Sequence, residues 1–304
     1  MGKRIFITGG AGFIGSGIVR NLLDQGHDIL VFDDLSFGNR QFIDLPEKRF
    51  IQGNILNKEA LENGLLGFAP HQVIHLAAIH FIPYCNEHPF ESANINITGV
   101  INLLDACKKV STLEKILFAS TAAVYPIYDA AISENVHPAP SDIYGLSKLA
   151  GEELFRKFHI ESGIATIICR FFNAFGPNET NPHLIPAIQE QVLAGKRTIK
   201  IGNTAPKRDY IHTRDMANGV RLLLEKFENG IEVFNLGRGI EYSVTEVIDA
   251  FSKALGEPLQ VETDPARVRK TDRLHLLADT GKLHRYTGWT PEVSLEEGIK
   301  TLLA

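Results

Sequence analysis

The chain has 304 residues, of which 44 % are hydrophobic and 22 % are charged, a balance that excludes a disordered protein and supports a large buried core. This length favours two lobes over one compact unit. The net charge is −5 and the basic residues are scattered along the chain, so no nucleic-acid partner is expected. The N-terminal apolar run is too short for a signal peptide or a membrane span, so no membrane association is expected either.

The chain contains three cysteines, Cys85, Cys107 and Cys169. Their odd number and wide spacing fit neither a disulfide framework nor a cluster of metal ligands, so no metal site is predicted. A reducing compartment, the cytoplasm, is the simplest location for such a chain.

The first predicted element is a short apolar strand over Arg4–Thr8, which leads into the glycine-rich segment Gly9–Gly15. A helical apolar pattern follows and stops near Gly26. The N-terminal segment therefore predicts a strand, a tight turn and a helix.

Further strand-like runs alternate with helical stretches through the first half of the chain. They cover Asp28–Phe32, Phe50–Ile51, Val73–Leu76, Lys115–Ala119 and Ala165–Cys169. Such alternation is typical of an α/β fold in which helices cover both faces of a parallel sheet, the Rossmann-type doubly wound arrangement.

After Arg170 the pattern changes, because prolines interrupt the chain and shorter helices such as Leu184–Leu193 and Val244–Leu255 alternate with short strands. We interpret this part as a smaller C-terminal α/β lobe that binds the substrate. The predicted boundaries are 1–170 with about 209–236 for the first domain, and 171–208 with 237–304 for the second. No flexible linker is visible, so the lobes should pack together around a ligand cleft.

The glycine turn and the acidic residue after it predict a dinucleotide site. Gly9, Gly12 and Gly15 permit a sharp turn, a pyrophosphate close to the backbone amides, and close packing of the helix. Asp33, at the end of the second strand, can accept hydrogen bonds from an adenine ribose and would repel a 2′-phosphate, which predicts NAD rather than NADP. Asp34 either shares this role or is a turn residue, and the second interpretation is favoured.

Tyr144 and Lys148 are four residues apart in a segment with a helical apolar pattern, so their side chains share one helix face. A phenol acts as a base near neutral pH only if a neighbouring cation favours the phenolate, and both Lys148 and a nicotinamide ring would do so. Thr121 follows a strand at the carboxyl edge of the predicted sheet and is the candidate hydroxyl for the reacting oxygen. Alone, such a Tyr/Lys pair is a common accident.

Several segments, in order along the chain, resemble the extended short-chain dehydrogenase/reductase family and in particular its nucleoside-diphosphate-sugar epimerases. They are TGGAGFIG, Asp33, HLAA from His75, STAAVYP, Tyr144-Gly-Leu-Ser-Lys148, RFFNAFGP, KRDYIHTRDMA and FNLGRG. The resemblance extends from residue 3 to about residue 300, and several motifs in one order are far more specific than any one of them.

The resemblance implies that Tyr144 is the catalytic base, Lys148 its electrostatic partner and Thr121 the third member of the catalytic set. It assigns the NAD cofactor to Gly9, Gly12, Phe13, Ile14, Gly15, Asp33, Asp34, Asn54, Ile55, Leu76, Ala77, Ala78, Tyr144 and Lys148. It assigns a UDP-sugar substrate to His80, Thr121, Tyr144, Asn173, Leu184, Arg208, Arg269 and Asp272. Among these, Asn173 and Arg208 would contact the diphosphate, and Arg269 and Asp272 a phosphate and the nucleoside ribose.

The two residues after Thr121 are Ala122 and Ala123, at positions where dehydrating or decarboxylating members of the family usually carry an acid. Without an acid there, the site can exchange one proton and one hydride at a single carbon, which suffices for oxidation and re-reduction. The resemblance therefore implies NAD-dependent 4-epimerisation of a UDP-sugar through a transient 4-keto intermediate.

One predicted cofactor residue departs from the family pattern, and one predicted substrate residue lies in a loop where family members vary. Asn54 stands where the family usually has an aspartate that accepts from the adenine amino group, although an amide carbonyl can also accept. His80 either contacts the sugar or is a solvated loop histidine, and the second interpretation is favoured.

The identity of the reaction and the assembly leave alternatives open. A UDP-glucuronate or UDP-GlcNAc 4-epimerase, a 4-keto reductase, or a non-catalytic NAD-sensing module would share most of these motifs. Members of the family usually form homodimers, so the resemblance implies a homodimer whose subunits pair through the helices around residues 90–109 and 143–160.

Overall fold

The computed structural model describes residues 2–265 and 273–303, and strands alternate with helices through most of these ranges. The strands are β1 (Arg4–Thr8), β2 (Asp28–Asp33), β3 (Phe50–Gln52), β4 (Gln72–His75), β5 (Lys115–Thr121), β6 (Ala165–Phe171), β7 (Asn173–Phe175), β8 (Thr198–Ile201), β9 (Lys207–His212), β10 (Ile231–Leu236), β11 (Glu241–Ser243) and β12 (Gln260–Thr263).

The helices begin with α1, which follows the glycine turn. They are α1 (Phe13–Asp24), α2 (Lys58–Phe68), α3 (Ile82–Glu87), α4 (Pro89–Ala93), α5 (Gly99–Cys107), α6 (Ile143–Ser162), α7 (Leu184–Leu193), α8 (Thr213–Lys226), α9 (Val244–Leu255), α10 (Gly281–Thr287) and α11 (Leu295–Leu303). A π-helical turn over Asn94–Thr98 joins α4 to α5. Among the described residues, no helix combines the length and the apolarity that crossing a bilayer requires.

Seven parallel strands form the main sheet in the order β10-β6-β5-β4-β1-β2-β3. This is the predicted Rossmann-type sheet. The strand order reverses between β1 and β4, where the register pairs Thr8 with His75. In open sheets of this kind, ligands bind outside the carboxyl ends of the strands at such a reversal.

Helices cover both faces of the main sheet, as the alternation of apolar runs predicts. On one face α1 and α8 pack together through residues such as Ile18 and Val220. On the other face α2, α5 and α6 bury residues such as Leu65, Leu103 and Phe155. Each such fully buried side chain contributes about 2 kcal/mol of hydrophobic stabilisation, so the two layers hold the sheet, and therefore its carboxyl edge, in place.

A separate apolar cluster joins α7, α9 and α11 to β8 and β9, through residues such as Ile188, Phe251 and Ile299. Here β9 pairs with β11 and β7, and β8 pairs with β12. Leu283 and Trp289, from the predicted second domain, pack instead into the core of the main sheet. The exact division of the chain into two domains stays a prediction.

Candidate functional site

A cavity of about 1040 Å³ opens beyond the carboxyl ends of the main-sheet strands and reaches α7 and β9. Pockets of a few hundred to about 1,000 Å³ hold cofactors and substrates in other proteins. The predicted site residues that the structure describes all line this cavity: Gly9, Gly12, Phe13, Ile14, Gly15, Asp33, Asp34, Asn54, Ile55, Leu76, Ala77, Ala78, His80, Thr121, Tyr144, Lys148, Asn173, Leu184 and Arg208. Arg269 and Asp272 lie outside the described residues.

The glycine turn between β1 and α1 has no room for side chains at two of its positions. Gly9 has φ +74°, and a Cβ there would lie 2.6 Å from the backbone nitrogen of Ala77. A Cβ on Gly15 would lie 2.2 Å from the Gly9 carbonyl oxygen. Gly12 caps α1 without a side-chain hydrogen bond, so the first amides of the helix face the cavity without a side-chain partner. This arrangement suits a pyrophosphate, which accepts from such amides.

Asp33 ends β2 with its carboxylate held by the backbone. Its Oδ2 accepts from the Ala11 amide and its Oδ1 from the Leu35 amide, both at 2.9 Å. Burial raises the pKa of Asp33, and the two backbone hydrogen bonds oppose that shift. Each oxygen keeps a lone pair beyond the one it uses, so the fixed carboxylate can also accept from two ribose hydroxyls.

Asp34 and Asn54 lie beside Asp33 and are hydrogen-bonded to each other. The Asn54 amide donates to Asp34 Oδ2 at 2.8 Å, and Asn54 Oδ1 accepts from the Leu56 amide at 2.9 Å. Asp34 Oδ1 accepts from the Ser36 amide, which is a turn contact. Asp34 therefore makes the contact expected of a turn residue, which is the interpretation favoured from the sequence. It also lines the cavity. That either side chain contacts the cofactor stays a prediction.

Tyr144, Lys148 and Thr121 come together where α6 packs on the end of β5. Asp142 caps α6 by accepting from the Gly145 amide at 2.8 Å. A Cβ on Gly145 would lie 2.5 Å from the Ala123 carbonyl oxygen, so glycine lets the helix approach closely. The Tyr144 and Thr121 side chains lie near each other and both line the cavity. Tyr144 and Lys148 on α6 thus come together with Thr121 at the end of β5, as the sequence predicts.

Burial dominates the electrostatics of this set. It raises the pKa of the Tyr144 phenol, and the nearby Thr121 side chain opposes that shift. It lowers the pKa of Lys148 to about 7, and the Glu152 carboxylate opposes that shift. The Lys148 ammonium lies 4.5 Å from the centre of the Phe118 ring, a cation–π contact. Lys148 is not among the groups that shift the Tyr144 pKa, so burial, rather than the expected effect of the lysine charge, sets the direction of that shift.

A buried charged pair lies behind Lys148. Arg170 donates to both carboxylate oxygens of Glu152, at 2.8 and 2.6 Å. Ser120 also donates to Glu152, and the Arg170 guanidinium lies 4.7 Å from the centre of the Tyr125 ring. The sequence analysis missed this pair. The available signal is that Glu152 follows Lys148 by four residues on the apolar face of α6.

Two arginines also line the cavity. Arg208, on β9, donates to the carbonyls of Lys207 and Arg273. Arg273, which the sequence analysis missed, also lines the cavity, and its pKa is lowered by burial and by the charge of Arg208. Asn173 Oδ1 is buried there without a hydrogen-bond partner among the described residues. Two nearby guanidiniums suit an anionic ligand such as a diphosphate.

His80 is partly buried and lines the cavity, so it is not a fully exposed loop histidine, and its contact with the sugar stays a prediction. Its Nε2 lies 3.2 Å from Asn181 Nδ2, and its ring centre lies 6.2 Å from that of His183. Burial lowers its pKa to about 4. Tyr84 lines the cavity nearby, whereas Cys85 is buried and donates to the Ile79 carbonyl.

Comparison with known proteins gives one family. The model of the NAD dependent epimerase/dehydratase family matches residues 5–237. A UDP-glucose 4-epimerase of Corynebacterium glutamicum is 34 % identical, over 95 % of this chain and 91 % of its own length.

Two solved structures extend the comparison to bound ligands. The UDP-glucose 4-epimerase of Thermus thermophilus, in complex with NAD, superposes with a TM-score of 0.89 at 31 % identity, covering 99 % of this chain and 97 % of that one. The UDP-glucuronic acid 4-epimerase of Bacillus cereus, in complex with UDP-glucuronic acid and NAD, gives a TM-score of 0.87 at 29 % identity, covering 98 % and 97 %.

Proposed function

Since the chain belongs to the NAD dependent epimerase/dehydratase family, we propose that it catalyses the NAD-dependent 4-epimerisation of a UDP-sugar of the UDP-glucose/UDP-galactose type. One observation carries the proposal: the hydroxyls of Tyr144 and Thr121 line the same cavity as the glycine turn and Arg208, with Lys148 one helical turn from Tyr144.

The residues present fit NAD. The α1 amides at Gly12 suit the pyrophosphate, the backbone-held carboxylate of Asp33 suits the adenine ribose, and Lys148 lines the cavity beside Tyr144, where it can hold the second ribose. When bound, NAD supplies an acceptor that takes a hydride from the sugar and returns it, and a positive charge that favours the Tyr144 phenolate.

Tyr144 is the proposed base for the hydroxyl at C4. Its phenolate accepts the hydroxyl proton as C4 loses hydride, which gives a 4-keto sugar, and the phenol returns the proton when hydride arrives at the opposite face. Thr121 donates to the reacting oxygen, and Lys148 stabilises the phenolate. Arg208 and Asn173 hold the diphosphate while the sugar turns over, so the substrate stays bound throughout.

Ala122 and Ala123 support epimerisation over elimination. Both line the cavity directly after Thr121, in a short turn over Ala122–Val124, and neither side chain transfers a proton. A second proton transfer at C5 has no acid at these positions, so the reaction ends with hydride returned to C4.

UDP-glucuronate 4-epimerisation is the second candidate, because the chain is similar to the Bacillus cereus enzyme over 98 % of its length. The two candidates differ in whether the pocket pairs a cation with the sugar carboxylate. A 4-keto reductase would require added NADH, and an NAD-sensing module would give no product. UDP-GlcNAc would require room for an acetamido group.

The test incubates the purified full chain with UDP-glucose, UDP-galactose, UDP-GlcNAc and UDP-glucuronate, without added NADH, and separates the isomers. We expect interconversion of UDP-glucose and UDP-galactose. Tyr144→Phe should lower the rate by about a hundredfold or more, because a positioned general base is lost. Tyr286→Phe, at a position that is 43 % exposed, is the control and should match the wild type. Wild-type turnover by Tyr144→Phe would contradict the assignment of the base.

A homodimer is part of the proposal. Apolar side chains remain exposed on the predicted helices: Phe90 is 84 % exposed, Ile160 81 %, Leu146 52 % and Ile101 41 %. A second copy that covers this face of α4, α5 and α6 would remove them from water. The cytoplasm stays the predicted location, supported by three free, buried cysteines.

A further inference from the structure

Three side chains that commonly ligate metals meet in the wall of the cavity. His80 follows β4, whereas Glu179 and His183 belong to the segment between β7 and α7. One ligating atom from each lies within 4.8 Å of the other two. In the part of the chain that the structure describes, no other trio of histidine, cysteine, aspartate or glutamate meets this condition.

The Asn181 amide marks the point on which these ligands converge. Its Nδ2 lies 3.2 Å from His80 Nε2 and 3.4 Å from Glu179 Oε1. Two acceptors that face one amide nitrogen direct their lone pairs to one place. Asn181 is buried, so its amide nitrogen holds these two acceptors close together.

His80 and Glu179 are both partly buried in the wall of the cavity. A bound cation would offset the cost of taking the Glu179 carboxylate out of water.

We propose that His80, Glu179 and His183 bind one divalent transition-metal ion of the Zn²⁺ class. Two imidazoles and a carboxylate are a known ligand set for open Zn²⁺ sites, whereas Mg²⁺ and Ca²⁺ prefer oxygen ligands alone. Atoms about 2.1 Å from a tetrahedral Zn²⁺ lie about 3.4 Å apart. Small side-chain rotations therefore close the present separations of up to 4.8 Å.

The remaining position of such an ion faces the cavity, since all three residues line it. The inference concerns binding by the protein alone and does not depend on the proposed reaction. It revises the expectation that the chain has no metal site, because that expectation rested on the number and spacing of the cysteines. His80 and Asn181 are 101 residues apart, so no local spacing reveals the cluster.

The test uses the untagged full chain, treated with a chelator, dialysed and titrated calorimetrically with ZnCl₂. We expect one Zn²⁺ per chain. His80→Asn, Glu179→Gln and His183→Asn should each weaken binding about tenfold or more, as loss of metal-site residues does. His137→Asn, at an exposed position, is the matched control and should bind as the wild type does.

CoCl₂ provides a spectroscopic check that does not depend on the variants. The wild-type complex should give the visible bands of Co²⁺ with nitrogen and oxygen ligands, and thermal unfolding without metal should show that each variant is folded. Wild-type protein that binds no Zn²⁺, variants that all bind within twofold of the wild type, or a Co²⁺–thiolate charge-transfer band would overturn the proposal. If a variant does not fold, the wild-type Co²⁺ spectrum decides.

Discussion

Lys148 destabilises the fold at the position where its charge serves the proposed reaction. Its ammonium is buried beside Tyr144, and burial lowers its pKa from 10.5 to about 7. Because the unfolded chain binds this proton up to a higher pH than the folded chain, the group destabilises the fold most at and below pH 7. That cost is relieved as the pH rises from about 7 toward 10.5.

Lys148→Met should therefore be more stable than the wild type at pH 7, by up to about 1.4 kcal/mol for each unit of pKa shift. The gain should shrink as the pH approaches 10. Urea unfolding at both pH values measures it. Lys48→Met, at an exposed position, should show the same difference from the wild type at both pH values. A gain in the stability of Lys148→Met that does not change with pH would refute the assignment of this cost to the buried lysine charge.

Glu152 is a positioning residue for Lys148, because its charge opposes the lowering of the Lys148 pKa. Glu152→Gln should lower that pKa further, so the fall in kcat that accompanies loss of the lysine proton should move to lower pH. The variant should also lose about 3 kcal/mol or more of stability, since Arg170 stays buried without its partner.

The pH profile of kcat distinguishes this role from a structural one. Glu153→Gln, on the same helix with a side chain that is 66 % exposed, is the matched control and should leave the profile unchanged. If Glu152→Gln loses stability but keeps the wild-type profile, Glu152 serves the fold alone.

At the scale of elements, the glycine turn has two separable functions. A Cβ at Gly15 would meet the Gly9 carbonyl at 2.2 Å, whereas a Cβ at Gly12 would meet only that carbonyl, at 3.4 Å. Gly15→Ala should therefore move α1 and lower the unfolding temperature. Gly12→Ala should keep a near-wild-type unfolding temperature and weaken NAD binding about tenfold, because its methyl group would lie where the pyrophosphate approaches.

Thermal unfolding and a fluorescence titration with NAD measure the two effects separately. Gly67→Ala, where a Cβ would meet nothing within 4 Å, is the control for both. Equal loss of stability in Gly12→Ala and Gly15→Ala would contradict the separation.

The bounds of an element were predictable where its residues follow a local apolar pattern. They were not predictable where its last residues are buried by partners on other elements. The predicted β1, α7 and α9 have the observed bounds. The predicted β5 and β6 ended at Ala119 and Cys169, whereas the strands continue to Thr121 and Phe171. Their last residues include Ser120 and Arg170, which are polar but buried because both bind Glu152. An apolar pattern cannot anticipate a partner on another element.

The same limit applies to the site. Asp33, Tyr144, Lys148 and Thr121 were predictable because each has a fixed position relative to a strand end or a helix face. Arg273, Glu179 and His183 were missed, since only the folding of distant segments brings them to the cavity.

At the scale of the whole molecule, the cavity joins a core built on the main sheet to one built on α7, α9 and α11. Four exposed apolar side chains, Phe90, Ile101, Leu146 and Ile160, lie on α4, α5 and α6. If a second copy covers them, Ile160→Glu should place a charge in the interface and give monomers in sedimentation velocity. Leu193→Glu, on α7 and 65 % exposed, should leave the dimer intact. A wild-type monomer at micromolar concentration would refute the assembly.

In the proposed reaction, the hydrogen on C4 leaves and returns as a hydride inside the cavity, without exchanging as a proton with water. The most direct measurement follows UDP-glucose carrying deuterium at C4 through the reaction, without added cofactor, by NMR of the sugar product. UDP-galactose should keep the deuterium at C4, because the hydrogen that leaves returns to the same carbon. Replacement of that deuterium by solvent hydrogen would contradict it.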